Sequence, residues 1–431
     1  MTSDMRLSLR HNRPFRALWT SSVGESLADD VSRSVLPLVA ASTLGAGSSA
    51  IGLLQALSMA AFLLLGIPAG AVVERARIRR VMLSTTGVRA VAVTTIPIAA
   101  FCGVLSMWQL FCAVAVIGVA DVFFSAASSA ALPRHVAAPD LGQAYSSLRA
   151  TQAATSIAGP GIGSVIIRMS SPAVAVFSAS AGYLLSALAL SRYPDDQPFP
   201  TESPERQRRS LWRDAADGLS YAARHRVLRP LFLGNAFWNS ASAMANAVLV
   251  VFALQEAGLR AGDFALVTVC EAAAAFAGAT LATSLSRALG IGRAKTVAMT
   301  ANTLVLAAYP VVPSLFGSSF LWIAALGSLS TFAAMIYSLS AAGTVAQVTP
   351  PGLHARVMSC ARFAALGPMP VASIVGGTVG DIAGLSAALM LAAVLSAMSL
   401  AVFMTNPQRR WKAMPTAEEL ISAGYLPREP S

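Results

Sequence analysis

Gly70-Ala71-Val72-Val73-Glu74-Arg75-Ala76-Arg77-Ile78-Arg79-Arg80-Val81-Met82 is the stretch on which the fold turns. An apolar run from about 49 to 73 leads into it, and another from about 81 to 103 leads out. Each is long enough to cross a bilayer core, which takes about 20 apolar residues. A short basic connection between two such runs is a topology signal, because Lys and Arg concentrate on the cytoplasmic side. Gly70 permits close helix packing. Glu74 can accept charge-assisted hydrogen bonds from arginine and from helix N-termini in one conformation and release them in another. Arg75, Arg79 and Arg80 anchor the loop inside.

The rest of the chain repeats this alternation. Its 431 residues are 55% hydrophobic and only 12% charged, with a mean hydropathy of +0.63. A soluble protein carries roughly 25% charged residues, so soluble multidomain and disordered architectures are excluded. Twelve apolar segments can be read, near 15–43, 49–73, 81–103, 107–132, 143–168, 172–192, 229–254, 263–287, 295–314, 319–346, 357–380 and 385–405. The net charge of +11 would suggest nucleic acid in a soluble domain. Here the basic residues flank apolar runs, so no nucleic-acid partner is expected. Nearly all fall at the two termini or in even-numbered loops, which places both termini in the cytoplasm and requires an even number of spans. The first run carries Glu25, Asp29, Asp30 and Arg33 and reads as a functional span rather than a cleaved signal peptide.

The expected organisation is an all-α integral membrane protein of twelve helices. A six-helix half (1–192) precedes a cytoplasmic linker (193–228), a second six-helix half (229–405) and a cytoplasmic tail (406–431). The linker opens with a Pro-rich charged stretch, and Trp212, Ala215, Leu219 and Ala222 then recur at helical spacing, as in an amphipathic helix lying on the membrane. The tail is expected to form a short helix at Ala417–Ala423 and otherwise to be mobile. At an offset of 212 residues, Val136, Pro139, Leu141 and Ser147 fall on Val348, Pro351, Leu353 and Ser359, and Arg75 falls on Arg287. Gly159-Pro160 in segment five has a near counterpart in Gly367-Pro368 of segment eleven. These matches suggest two parallel repeats. Cys102, Cys112, Cys270 and Cys360 form no metal-ligand spacing and read as small buried hydrophobes. The four histidines fall in loops or flanks. No metal and no cofactor is expected.

Gly70 to Met82 resembles the Gly-x-Leu-Ala-Asp-Arg-x-x-x-Arg-Arg loop of the major facilitator superfamily, with Glu74 where that family usually has Asp and Arg77 in place of a small or acidic residue. Asn12-Arg13-Pro14-Phe15-Arg16, Leu36-Pro37-Leu38, Ala131-Leu132-Pro133, Gln347 through Pro350 and Arg356-Val357-Met358 extend the resemblance along the chain. Together they are similar to the bacterial exporter branch that includes the enterobactin exporter. Gly159-Pro160-Gly161-Ile162-Gly163-Ser164 resembles the end of the family's antiporter motif, with Ser164 in place of the last Gly. There Pro160 bends the helix, and Gly159 and Gly163 give a close, leak-sealing contact; an ordinary Gly/Pro kink is the other reading. The resemblance implies a multi-pass protein of the bacterial cell membrane, with a cavity lined by segments one, four, seven and ten.

Charges inside those segments are the candidate machinery, since a carboxylate at the bilayer centre costs at least ~2.5 kcal/mol. Glu25, Asp29 and Arg33 stand at i, i+4 and i+8 on one face, with Asp30 about 100° away. Asp29 matches an acidic position this family often has in its first helix. It reads either as a desolvated carboxyl that loads and unloads a proton or as half of a fixed ion pair with Arg33; Asp30 admits the same two readings. Glu25 is a proton carrier or a polar cavity wall. Arg89 and Asp121 lie at similar depth in antiparallel neighbours and could pair, structurally or as part of a gate. Glu271 is a lone acid, facing the cavity or the rim. Asn235, Asn239 and Asn246 with adjacent Trp238 in segment seven, and Thr331 in segment ten, form polar stripes that either line the cavity or join helices by hydrogen bonds.

The expected function is a proton-coupled exporter (an antiporter) that moves a small amphipathic cargo, such as a siderophore, an antibiotic or another secondary metabolite, by alternating access. Its partners are cargo, protons and lipid, and the chain is expected to act as a monomer. An uptake symporter of the same fold is the first alternative. An integral-membrane enzyme would need a metal cluster or an activated nucleophile, and a receptor a large folded tail. Neither signature is visible, and no enzyme is expected. No P-loop is present to use ATP.

Overall fold

The computed structural model describes residues 12–136, 140–194, 220–316, 320–349, 354–415 and 417–422. These are helical nearly throughout, with no strand among the described residues. The helices are α1 (Arg13–Thr43), α2 (Ser48–Arg75), α3 (Ile78–Phe101), α4 (Met107–His135), α5 (Leu141–Met169) and α6 (Pro172–Leu190), then α7 (Leu228–Val251), α8 (Ala261–Leu289), α9 (Ile291–Phe316), α10 (Phe320–Val348), α11 (His354–Leu366), α12 (Met369–Ala383), α13 (Leu385–Thr405) and the short α14 (Ala417–Ser422). A π-helical turn, Phe252–Glu256, extends α7, and a 3-10 turn, Pro407–Arg410, follows α13. The chain is thus an all-α membrane protein of twelve spans, with α11 and α12 together making the eleventh.

Local chemistry sets several boundaries. Asn12 caps α1 by accepting a hydrogen bond from Phe15 N at 3.1 Å, just ahead of Pro14 in the first turn, where a missing N–H costs nothing. Ser106 and Ser171 cap α4 and α6 in the same way. The eleventh span, expected as one run, breaks at Gly367-Pro368, where Pro lacks a donor and its ring crowds the preceding turn. Among the described residues, nine helices are long and apolar enough to cross a membrane. α1 is not one of them, because Glu25, Asp29, Asp30 and Arg33 interrupt its apolar face.

The chain divides into two compact units. Unit 1 holds α1 to α6 together with Leu259–Val269, the start of α8. Unit 2 holds Glu202–Gly258 and everything from Cys270 onward. Inside unit 1, α1 packs on α5 and α6, α3 on α4 and α6, and α2 on α4. Inside unit 2, α7 packs on α12 and α13, and α9 on α10 and α13. Four of these pairings are the same when the segments are counted from the start of each unit.

Three expectations change. Cys102, Cys112 and Cys270 lie exposed and Cys360 is half-buried; on a face turned to lipid a thiol needs no burial inside the protein. The tail helix expected at Ala417–Ala423 forms over Ala417–Ser422, with Leu420 packed against Val227, Leu228, Val348 and Val357, but the tail ahead of it is not free, since Asn406 and Gln408 are fully buried. The amphipathic linker helix lies outside the described residues, apart from helical residues 220–224.

Candidate functional site

The site is built where α1 crosses α6. A Cβ on Gly24 would stand 2.5 Å from the Gly182 carbonyl oxygen, and one on Gly182 would stand 2.7 Å from that of Gly24. Only two glycines allow backbones this close. The crossing sets Glu25 beside Ser186 and Asp29 beside Tyr183. Ser186 Oγ and Thr86 Oγ1 of α3 each donate to Glu25 Oε1 at 2.6 Å, and Ser186 Oγ also shares a 2.9 Å hydrogen bond with Ser21 Oγ. Tyr183 Oη donates to Asp29 Oδ1 at 2.7 Å.

Arg89 of α3 occupies the centre with no exposed surface. Its guanidinium forms an ion pair with Glu25, and its Nη1 stands 3.5 Å from both Asp29 Oδ1 and Asp121 Oδ1 of α4. Phe124 and Tyr183 offer ring faces 4.6 and 5.0 Å from the guanidinium carbon, a favourable cation–π placement. The three acids are not equivalent. Glu25 is enclosed and fully hydrogen-bonded at one oxygen. Asp29 and Asp121 keep 20% and 25% of their side chains exposed and hold the arginine at long range. One buried positive charge thus faces three carboxyls, with the exposed Arg33 acting on Asp121 only from a distance, and full ionisation would leave negative charge in excess in a poorly solvated place. Such a cluster can take up and release a proton, or exchange Arg89 among acids.

The neighbouring α1–α5 contact explains the Gly-Pro element. A Cβ on Gly159 would stand 2.6 Å from Asp30 Cβ, and one on Gly163 would stand 3.1 Å from Val35 Cγ2. The glycine face of α5 is pressed onto α1, with buried Thr155 beside Asp30. α5 runs through Pro160 without a break.

Other expected residues are dispersed. Arg33 is exposed and makes no ion pair among the described residues, so the Asp29–Arg33 pair is replaced by Asp29–Arg89, because α1 and α3 both pack on α6 and the buried guanidinium of α3 comes within reach. Gly70 has nothing within 4 Å of where a Cβ would stand, so it supplies no close packing in this conformation. Arg79 Nη2 donates to Ser191 O at 2.6 Å, tying the start of α3 to the end of α6, and Arg80 is exposed. The side chains of Glu74 and Arg75 lie outside the described residues. In unit 2, Trp238 does not line a cavity. It is 5% exposed and stacked on Tyr337 at 4.3 Å between centroids, because its face of α7 is turned into the helix contact. Asn235 accepts from Tyr337 Oη, and Asn239 Nδ2 donates back to Asn235 O at 2.8 Å. Asn246 is exposed and Thr331 half-buried. The Glu271 carboxylate packs against Gly327 of α10, where any Cβ would overlap it.

Sequence reading missed two features. The hydroxyls of Ser21, Thr86, Tyr183 and Ser186 were indistinguishable from ordinary polar residues of apolar segments; Gly24-Glu25 and Gly182-Tyr183 were the available signal. Lys295, at the start of segment nine, looked like one more topology charge. It is 1% exposed, between the Tyr337 and Phe403 rings at 4.6 and 5.0 Å, with Gln408 Oε1 at 3.5 Å.

Residues 18–365 match the model of the Major Facilitator Superfamily. The chain belongs to that superfamily. No curated protein matches it in sequence. Among solved structures it is similar to the nucleoside transporter NupG (12% identity, 90% of this chain and 97% of that one, TM-score 0.71). It is also similar to a bacterial homologue of the iron transporter ferroportin in an inward-facing state (14%, 91% and 98%, TM-score 0.69), and to a bacterial homologue of the human lysosomal transporter Spinster (14%, 94% and 99%, TM-score 0.63). At these identities the likeness is one of fold. As a major facilitator protein the chain is a multi-pass membrane transporter.

Proposed function

We propose that this transporter exports a small amphipathic molecule in exchange for protons, with the Arg89 cluster as the proton-handling centre. The observation that carries the reading is one buried guanidinium shared by three carboxyls, two of them partly open. A proton arriving at Asp29 or Asp121 would weaken that acid's hold on Arg89 and shift the arginine toward the remaining carboxylates. Each protonation state then favours a different arrangement of α1, α3 and α4, which is the differential interaction that coupling requires. Glu25, locked by Ser186 and Thr86, serves as the permanent counter-ion. Asp30, under the Gly159 contact, and Glu271, against Gly327, are secondary acids of the same pathway. The loop with Gly70, Glu74, Arg75, Arg79 and Arg80 gates the cytoplasmic end, and the polar residues Asn235, Asn239, Asn246 and Thr331 contribute to the cargo path.

Export is favoured by the sequence resemblance to the enterobactin-exporter branch and by the Gly159-Pro160-Gly163 element; a siderophore, an antibiotic or another secondary metabolite fits. The chain would act as a monomer in the bacterial cell membrane, with both termini in the cytoplasm. The test is uptake of candidate compounds by inside-out vesicles, with and without an imposed pH gradient, for the wild type and Asp29→Asn. Gradient-driven accumulation that Asp29→Asn abolishes is expected. Accumulation indifferent to both the gradient and the substitution removes proton coupling, and gradient-driven movement in the opposite direction makes the protein an uptake symporter.

A further inference from the structure

The chain beyond the last span does not leave unit 2; it is pinned across the α8–α9 turn. Asn406 and Gln408 have no exposed surface. Asn406 Nδ2 donates to Val227 O at 3.1 Å, its Oδ1 accepts from Gln408 N at 2.9 Å, and Gln408 Nε2 donates to Thr344 Oγ1 of α10 at 2.5 Å. The backbone then lies along the start of α9. Gly292 N donates to Trp411 O at 3.0 Å and Ile291 N to Lys412 O at 3.2 Å. Gly290 turns the chain with φ of 85°, and a Cβ on Gly292 would overlap the Arg409 carbonyl. Glycine is required at both places for the segment to sit this close.

This pinning fixes four cations in one collar. Arg293, Arg409, Arg410 and Lys412 are all exposed, and none makes an ion pair among the described residues. No acidic residue occurs in positions 287–295 or 406–414. Two of the N–H groups at the start of α9, those of Ile291 and Gly292, are already taken by the Lys412 and Trp411 carbonyls, so the side chains are the main donors left to a ligand. The collar stands at the ends of two apolar helices, α9 and α13, and the ends of spanning helices meet the headgroup region of a bilayer. Trp411, which packs partly into the cluster around Val227, is of the residue type that favours that level. Glu418 and Glu419 lie next along the chain, on α14, but none of the four cations forms an ion pair among the described residues. Exposed cations fixed by backbone hydrogen bonds suit a phosphodiester, and little order has to be imposed on the chain when it binds.

We propose that the Arg293–Arg409–Arg410–Lys412 collar is a docking site for the headgroup of an anionic phospholipid. The test titrates the purified full chain in neutral detergent with phosphatidylglycerol or phosphatidylcholine and counts retained lipid by native mass spectrometry. Wild type is expected to retain phosphatidylglycerol in preference to phosphatidylcholine. Arg409→Gln/Arg410→Gln/Lys412→Gln, changes confined to exposed side chains, should weaken that retention by about a hundredfold, at roughly fivefold for each of the three charges. A charge-matched control in unit 1, Arg16→Gln/Arg77→Gln/Arg80→Gln, should bind as wild type. Unchanged retention by the collar variant, or an equal loss in the control, overturns the proposal. So does inorganic phosphate that displaces the lipid at equal concentration, since the collar would then be a free-anion site.

Discussion

Both units bury a cation on the third helix of their set, and they treat it in opposite ways. Unit 1 surrounds Arg89 with Glu25, Asp29 and Asp121. Unit 2 surrounds Lys295 with two aromatic faces and a glutamine, and no carboxylate forms an ion pair with it among the described residues. Burying a charge is costly unless it is paired. Excess acid around a delocalised guanidinium leaves a cluster whose protonation and pairing can change. A lone ammonium held by ring faces has no partner to exchange. The helix pairings of the two units are alike, so the difference lies in side chains: unit 1 carries an electrostatic device, and unit 2 repeats the frame with an aromatic anchor.

The largest effect should come from Arg89→Ala. It leaves Glu25 enclosed with no counter-charge, and losing one partner of a buried pair costs about 3–5 kcal/mol. Thermal unfolding in detergent should show a marked fall in midpoint, and adding Glu25→Gln should recover part of it. A single variant as stable as wild type would break the contrast, because Arg89 would then be no better paired than Lys295.

Gly159→Val comes next. Its side chain must displace Asp30 on α1, and overpacking of this kind costs about 1–3 kcal/mol. Because the displaced helix carries Glu25 and Asp29, transport should fall further than stability does, seen as a drop in vesicle uptake at matched protein content. Uptake that merely follows the amount of folded protein would make the α1–α5 contact structural only.

The frame was legible in the sequence because lipid imposes it: a spanning helix must be long and apolar, and basic residues mark one side. That logic located all twelve segments and drew attention to Glu25, Asp29, Arg89 and Asp121, since charge inside an apolar run stands out. It did not reveal that the four converge. Convergence depends on helix rotation, fixed here by Gly24 against Gly182, and two small residues 158 positions apart carry no mutual signal in one sequence. The same rule misled at Lys295 and Trp238. A lysine at a helix start and a tryptophan on a polar stripe look like surface groups until a neighbour, Tyr337, packs against both. The break at Pro368 was equally hidden, because Pro160 occupies the matching segment of unit 1 and leaves its helix whole.

Tyr337→Phe should have a modest effect. It removes the hydroxyl that donates to Asn235 while keeping the ring against Trp238 and Lys295. A lost hydrogen bond of this sort costs about 0.5–1.5 kcal/mol, read as a small fall in unfolding midpoint with vesicle uptake unchanged per folded molecule. A loss of coupling instead would mean that the unit 2 aromatic anchor takes part in the transport cycle, and the contrast between the units would narrow.

Lys295→Met should have the smallest effect, and it is the sharpest test. Methionine keeps the length of the stem and its contact with Tyr337 and Phe403, and removes an ammonium that no acid balances. Gln408 loses one long 3.5 Å contact but keeps its bond to Thr344. Replacing buried charge with an apolar group of similar shape is often neutral or stabilising, so stability, read from thermal unfolding in detergent, should fall by no more than about 1 kcal/mol from wild type. A loss approaching that of Arg89→Ala would show that Lys295 has an anionic partner in the working protein, and the units would then be alike in chemistry as well as in helix packing.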